Sequence, residues 1–144
     1  MRPARIAGRA ALGWVFVFAG VDVVRHPQKP ATTAGWLFEA TRSAAPVPVP
    51  PDVHLVRANA AAQVAAGAAL AAGFRPRAAA AVLIGSLVPT TIGGHAFWRH
   101  DDPLQRKLQR LQFTKNLGLL GGLLLTVDDR SDAPTRRSRR GARS

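Results

Sequence analysis

Six polar side chains carry most of the chemistry open to this sequence: Asp22, Asn59, Gln63, His95, Lys115 and Asn116. Each interrupts an otherwise apolar stretch. Asp22, His95 and Lys115 can exchange protons or pair as ions, and the three amides can both donate and accept hydrogen bonds. Asn59 and Gln63 are four residues apart and share one face of a helix. Gln112 lies one turn before Asn116. A charge at the centre of a membrane helix costs about 2.5–3.5 kcal/mol, so such a group needs a partner, water or a function. One reading gathers the six into a polar pocket for the headgroup of a quinone, a lipid or a small solute. The competing reading pairs Asp22 with Lys115, Arg25 or Arg57 and uses the amides to stitch helices together.

No catalytic set accompanies these residues. His26, His54, His95 and His100 never recur at four-residue spacing, so no single helix presents a two-histidine metal site. His95 with Asp101 or Asp102 leaves the remaining metal ligands unidentified, so no metal is assigned. Only His95 lies at a depth suited to an axial haem ligand, and a paired haem needs two. Phosphate loops, nucleophile elbows and zincin helices are missing from the sequence. The absence of Cys removes disulfides, thiolate ligands and a CxxC relay. No independent catalytic activity is expected, and a quinone is the one cofactor the pocket suits.

Four apolar segments must position these groups: about 6–24, 55–73, 78–97 and 111–127. A membrane helix needs roughly 20 residues, with 17–25 tolerated. The third meets this without a charge between Arg77 and Arg99. The second is long enough but Ala-rich, and the first and fourth reach length only by admitting Arg9, Asp22 and Lys115. A soluble helix would need a charged face, which 78–97 and 117–127 lack. A cleaved signal peptide is the rival for the first segment, but its apolar run passes into Asp22, Arg25 and His26 with no small-x-small site. The sequence therefore predicts an all-α, membrane-spanning four-helix bundle over 1–129, followed by a basic, disordered cytoplasmic tail over 130–144.

The net charge of +12 raises nucleic-acid binding as a third class of function, that of a soluble basic binder. The placement of the charge argues otherwise. Arg2 and Arg5 precede the first segment and Arg9 lies at its start, Arg75 and Arg77 fill the turn between the second and third, and six Arg lie in the last 15 residues. An even number of spans puts these on one side, and the positive-inside rule makes it cytoplasmic for both termini. The expected location is the inner (cytoplasmic) membrane, multi-pass. The bilayer and, for the tail, anionic lipid headgroups are the expected partners, with no specific nucleic acid. Arg99, Arg106, Lys107 and Arg110 on the opposite side work against the rule.

With that direction, Asp22, Asn59, Gln63, His95, Lys115 and Asn116 all fall in the outer half of the membrane. The inner half holds only Arg9, expected to extend its charge to the surface. The connection between the first two segments ends in a Pro-rich run over 45–51 that favours extended polyproline. Trp36, Leu37 and Phe38 within it suit an interfacial turn. Small residues, namely Gly118 and Gly122 of the fourth segment and Ala58, Ala62, Ala65, Ala66 and Ala69 of the second, are expected at the helix contacts.

Gly8-Arg9, FAGVDVVRHP (18–27), VRANAAAQVAAG (56–67), PRAAA (76–80), SLVPTTIGGHAFW (86–98), DDP (101–103) and FTKNLGLLGGLLL (113–125) together resemble the DoxX family of small bacterial membrane proteins. The resemblance spans roughly 5–129. It implies a four-helix membrane protein, and for some relatives a small subunit associated with quinone-linked oxidation. It carries no agreed catalytic residues. The expectation is an accessory or anchoring subunit of a membrane oxidoreductase, working beside a membrane or peripheral redox protein. A solute or lipid carrier using the same pocket, and a purely structural membrane protein, stand as alternatives.

Overall fold

The structure is a computed structural model that describes residues 3–44, 48 and 50–129. Five α-helices and one 3-10 turn account for it, with no strand among the described residues: α1 (Pro3–Arg25), α2 (Gln28–Ala44), α3 (Asp52–Ala71), α4 (Pro76–Gly94), the 3-10 turn Phe97–Arg99, and α5 (Pro103–Asp128). The basic tail lies outside the described residues. Two segments, Pro3–Arg25 and Pro76–Arg99, are long and apolar enough to cross a membrane. The Ala-rich α3 and the charged start of α5 do not reach that standard.

Proline and glycine set the boundaries. Pro27 disfavours helical backbone at His26 and ends α1. Pro76 and Pro103 sit at the first positions of α4 and α5, where a missing N–H costs nothing. Asp102 caps α5 by accepting from the Gln105 amide at 2.8 Å. That commits the carboxylate considered above as a partner for His95. The α3–α4 turn is a Schellman motif: Phe74 N–H bonds Ala69 O at 2.8 Å and Gly73 N–H bonds Leu70 O at 3.1 Å. Gly73 carries the positive φ of 72° that this closure requires.

Two elements differ from the sequence-based expectation. Residues 28–44 form a helix rather than an interfacial turn around Trp36. Pro30 falls in its first turn, where the ring is tolerated, and Thr32, Thr33 and Thr41 each bond the carbonyl four residues back. The fourth segment starts two turns earlier, because the Asp102–Pro103 cap launches a 26-residue helix from Pro103.

α3 packs along α1, α4 joins α3 and α5, and α2 lies across α3 and α4. Phe16, Leu70, Leu83, Leu87 and Leu123 form the core shared by α1, α3, α4 and α5. Large apolar side chains also face outward, among them Trp14, Phe18, Leu111 and Leu125. That much exposed apolar surface is costly in water and unremarkable in lipid.

The small-residue contacts fall elsewhere than expected. α1 and α3 approach through Gly13, Gly20, Ala60 and Gly67. Gly118 has open space where a side chain would go, and Gly122 meets only Leu12. Ala58, Ala62 and Ala65 face outward, whereas Ala66 is buried. Ala69 also packs against the core, so two of the five alanines expected at contacts are there, and Ala58, Ala62 and Ala65 are not, because Ala occurs all round that helix. Arg9 is 8 % exposed, with its guanidinium beside Gly73 of the α3–α4 turn.

Candidate functional site

A cavity of about 600 Å³ lies between the last turn of α1, α2, the first half of α3, the second half of α4, and Gln109 of α5. Asp22, Asn59, Gln63 and His95 all line it. Four of the six residues singled out in the sequence thus share one cavity. Lys115 is exposed and is not among the lining residues. Asn116, one residue on, turns inward and donates from Nδ2 to Thr91 Oγ1 at 3.0 Å. It clamps α5 to α4 and likewise does not line the cavity.

The polar wall is built by α3 and α4. Thr90 donates its hydroxyl hydrogen to Ser86 O at 2.8 Å, so its oxygen is left to accept. It accepts from Asn59 Nδ2 at 3.0 Å and from Gln63 Nε2 at 3.4 Å. Ser86 Oγ donates to Asn59 Oδ1 at 2.7 Å and closes the network. This arrangement fixes the orientation of Gln63: its nitrogen faces Thr90 and its carbonyl points away. Gln63 is 7 % exposed and its Oε1 accepts no hydrogen bond among the described residues. No described side-chain N or O is both fully buried and without a partner. The Gln63 carbonyl therefore opens onto the cavity.

His95 stands at the end of α4, with Nδ1 at 2.8 Å from Gln109 Oε1. In a neutral imidazole, an oxygen partner favours the hydrogen on Nδ1 and leaves a lone pair on Nε2. Gln63 and His95 thus offer acceptors to a ligand. Leu37, Phe38, Leu55 and Val56 supply an apolar wall, the first two from α2. Asp22, His26 and Lys29 line it as well. Asp22 pairs with His26 at 3.4 Å, in place of Lys115, Arg25 or Arg57, and both side chains are largely exposed.

Ser86, Thr90, Thr91 and Gln109 escaped the sequence reading. Each is a common polar type with no distinctive spacing, and only the Pro89-Thr90-Thr91 run offered a signal. Among the described residues, no cluster of three or more His, Asp or Glu could hold a metal.

No curated protein and no solved structure matches this chain. The DoxX family model matches residues 4–96, well over half of the chain, and takes in α1 to α4, which supply all but one of the helices around the cavity. α5 and the Gln109 contact lie beyond the matched range. The chain belongs to the DoxX family of small membrane proteins.

Proposed function

We propose that this DoxX protein is an accessory membrane subunit that holds a quinone-class ligand in the α1–α4 cavity and presents it to a redox partner. The observation that carries this reading is the pairing of acceptor oxygen and nitrogen on one wall with Leu37, Phe38, Leu55 and Val56 on another. A quinol suits such a site. Its hydroxyls donate to Gln63 Oε1 and His95 Nε2, and its ring and tail lie against the apolar wall. The volume falls within the range of small-molecule sites, about 300–1,000 Å³.

The reading includes a four-span arrangement in which α1, α3, α4 and α5 cross the inner membrane in alternate directions. Arg77 Nε donates to Val127 O at 2.9 Å and Arg5 pairs with Asp129 at 3.4 Å, which gathers basic residues at the end that holds both described termini. Positive charge at that end favours the cytoplasm. The tail over 130–144 then meets anionic headgroups.

Calorimetry on the full chain in neutral detergent, titrated with a short-chain quinol, tests the ligand. Saturable binding that Gln63→Leu weakens about tenfold, the loss of one buried hydrogen bond, supports the reading. An absence of saturable heat with the unaltered protein overturns it.

A further inference from the structure

A second recess, of about 370 Å³, adjoins the first where α2 crosses the end of α4. Thr32, Thr33, Trp36, Gly94, Arg99 and His100 line it, and Thr33 and Gly94 belong to both spaces. Its floor is rigid. Trp36 Nε1–H donates to Gly93 O at 3.3 Å, and a β-carbon on Gly93 would lie 3.1 Å from both Ala34 and Leu37.

Arg99 is held over this floor, its guanidinium carbon 4.8 Å from the centre of the Trp36 ring. Stacking on an indole occupies the face of a guanidinium and leaves its N–H edge available, the edge that grips a carboxylate or phosphate with two parallel bonds. Asp101 and Asp102 follow closely in sequence, yet Arg99 forms no ion pair among the described residues. Asp102 is spent on the α5 cap and neither acid lines the recess. His100 adds a second nitrogen donor group. Thr32 and Thr33 donate their hydroxyl hydrogens to Gln28 O and Lys29 O, so both oxygens are left as acceptors. The recess therefore pairs a cationic edge with acceptors for hydroxyls. An exposed apolar stripe, Gly85, Val88 and Ile92, climbs α4 toward it at helical spacing.

From these features we infer that the recess binds the headgroup of an anionic phospholipid that carries free hydroxyls. The phosphate sits on the Arg99 edge, the headgroup hydroxyls donate to Thr32 and Thr33, and an acyl chain follows the α4 stripe. The site lies at the opposite end of the helices from Asp128, where α5 ends. Thr33 is shared with the larger cavity, whereas Arg99 and His100 line the recess alone, so Arg99→Gln tests the recess apart from the quinone reading.

Native mass spectrometry of the full chain in neutral detergent tests it with three probes: phosphatidylglycerol, phosphatidylcholine and inorganic phosphate. Because the basic tail also attracts anionic lipid, the decisive comparison is between Arg99→Gln and Arg110→Gln, the latter an exposed cation outside the recess. Phosphatidylglycerol is expected to be retained over phosphatidylcholine, and about tenfold less tightly in Arg99→Gln, as the loss of a charge-assisted contact requires. Arg110→Gln is expected to match the unaltered chain. Thr33→Val, which leaves the cation in place, is expected to weaken phosphatidylglycerol about threefold and phosphatidylcholine not at all, and it serves if Arg99→Gln does not fold. Equal losses in Arg99→Gln and Arg110→Gln overturn the proposal. So does an unchanged Thr33→Val, or Arg99-dependent binding of inorganic phosphate without preference between the two lipids.

Discussion

Gly13 and Gly67 face each other across the α1–α3 interface so closely that a β-carbon on Gly67 would lie 2.9 Å from the carbonyl oxygen of Gly13. The same atom would be 3.1 Å from Phe16 Cβ. The obstacle is backbone and the base of a side chain, neither of which can swing aside. Gly67→Ala is therefore expected to push the helices apart and cost about 1–3 kcal/mol, the usual range for overpacking. Gly118→Ala, where nothing stands within 4 Å, is expected to stay within about 0.5 kcal/mol. Thermal unfolding of both variants in one detergent makes the comparison. A Gly118 variant that loses more Tm than Gly67→Ala would show that α5 uses its GxxxG pair after all.

Ligand binding should separate residues that line the cavity from those merely near it in sequence. Gln63→Leu and His95→Ala are expected to weaken a short-chain quinol, each by about tenfold. Lys115→Ala is expected to leave its affinity unchanged, since that ammonium is exposed and lines no part of the cavity. The sequence alone points the other way for Lys115. The titration that tests the ligand also decides this.

Asn116 and Thr91 should be coupled energetically and silent toward ligand. Their hydrogen bond is the polar contact between α4 and α5 that is itself buried. In membrane helices such pairs average about 0.6 kcal/mol, with a maximum near 1.7. A double-mutant cycle of Asn116→Leu with Thr91→Val is expected to give a coupling in that range. Zero coupling would mean that the pair does not hold the helices.

α2 is fastened by charge. Arg42 pairs with Asp52 at the start of α3 and reaches Glu39 at 3.7 Å. Arg42→Ala is expected to speed hydrogen exchange of α2 amides while leaving those of α4 unchanged, because local opening tracks the contacts an element has. Uniform acceleration in both helices would instead mark a global loss of stability.

Topology can be read in a chain that contains no Cys. Single cysteines at Ala4 and at Gln105 occupy opposite ends of the helices. An impermeant thiol reagent added to intact cells is expected to label Gln105→Cys and spare Ala4→Cys. The reverse pattern would invert the proposed orientation.

Local chemistry in the sequence was sufficient for the helices that bear the apolar runs, and for their boundaries at Pro76 and Gly73, because proline and glycine constrain the backbone wherever they occur. Alternate helix direction also converts sequence position into height along the helices, and Asp22, Asn59, Gln63 and His95 line one cavity. Local chemistry did not reveal which way each side chain turns about its helix. That angle is set by the neighbours an element packs against, and it separates Lys115, which faces out, from Asn116, which faces in. The same limit concealed α2, whose residues are on average too polar to stand out as an apolar segment and whose placement comes from Arg42–Asp52 and the fit of Ala34 and Leu37 against Gly93. It concealed Thr90 too, an ordinary hydroxyl until two amides from α3 converge on it. The composition and order of residues thus determined the family and the helices that bear the apolar runs. Tertiary packing alone decided which of those groups share a cavity, because a hydrogen bond or a wall requires two elements at once.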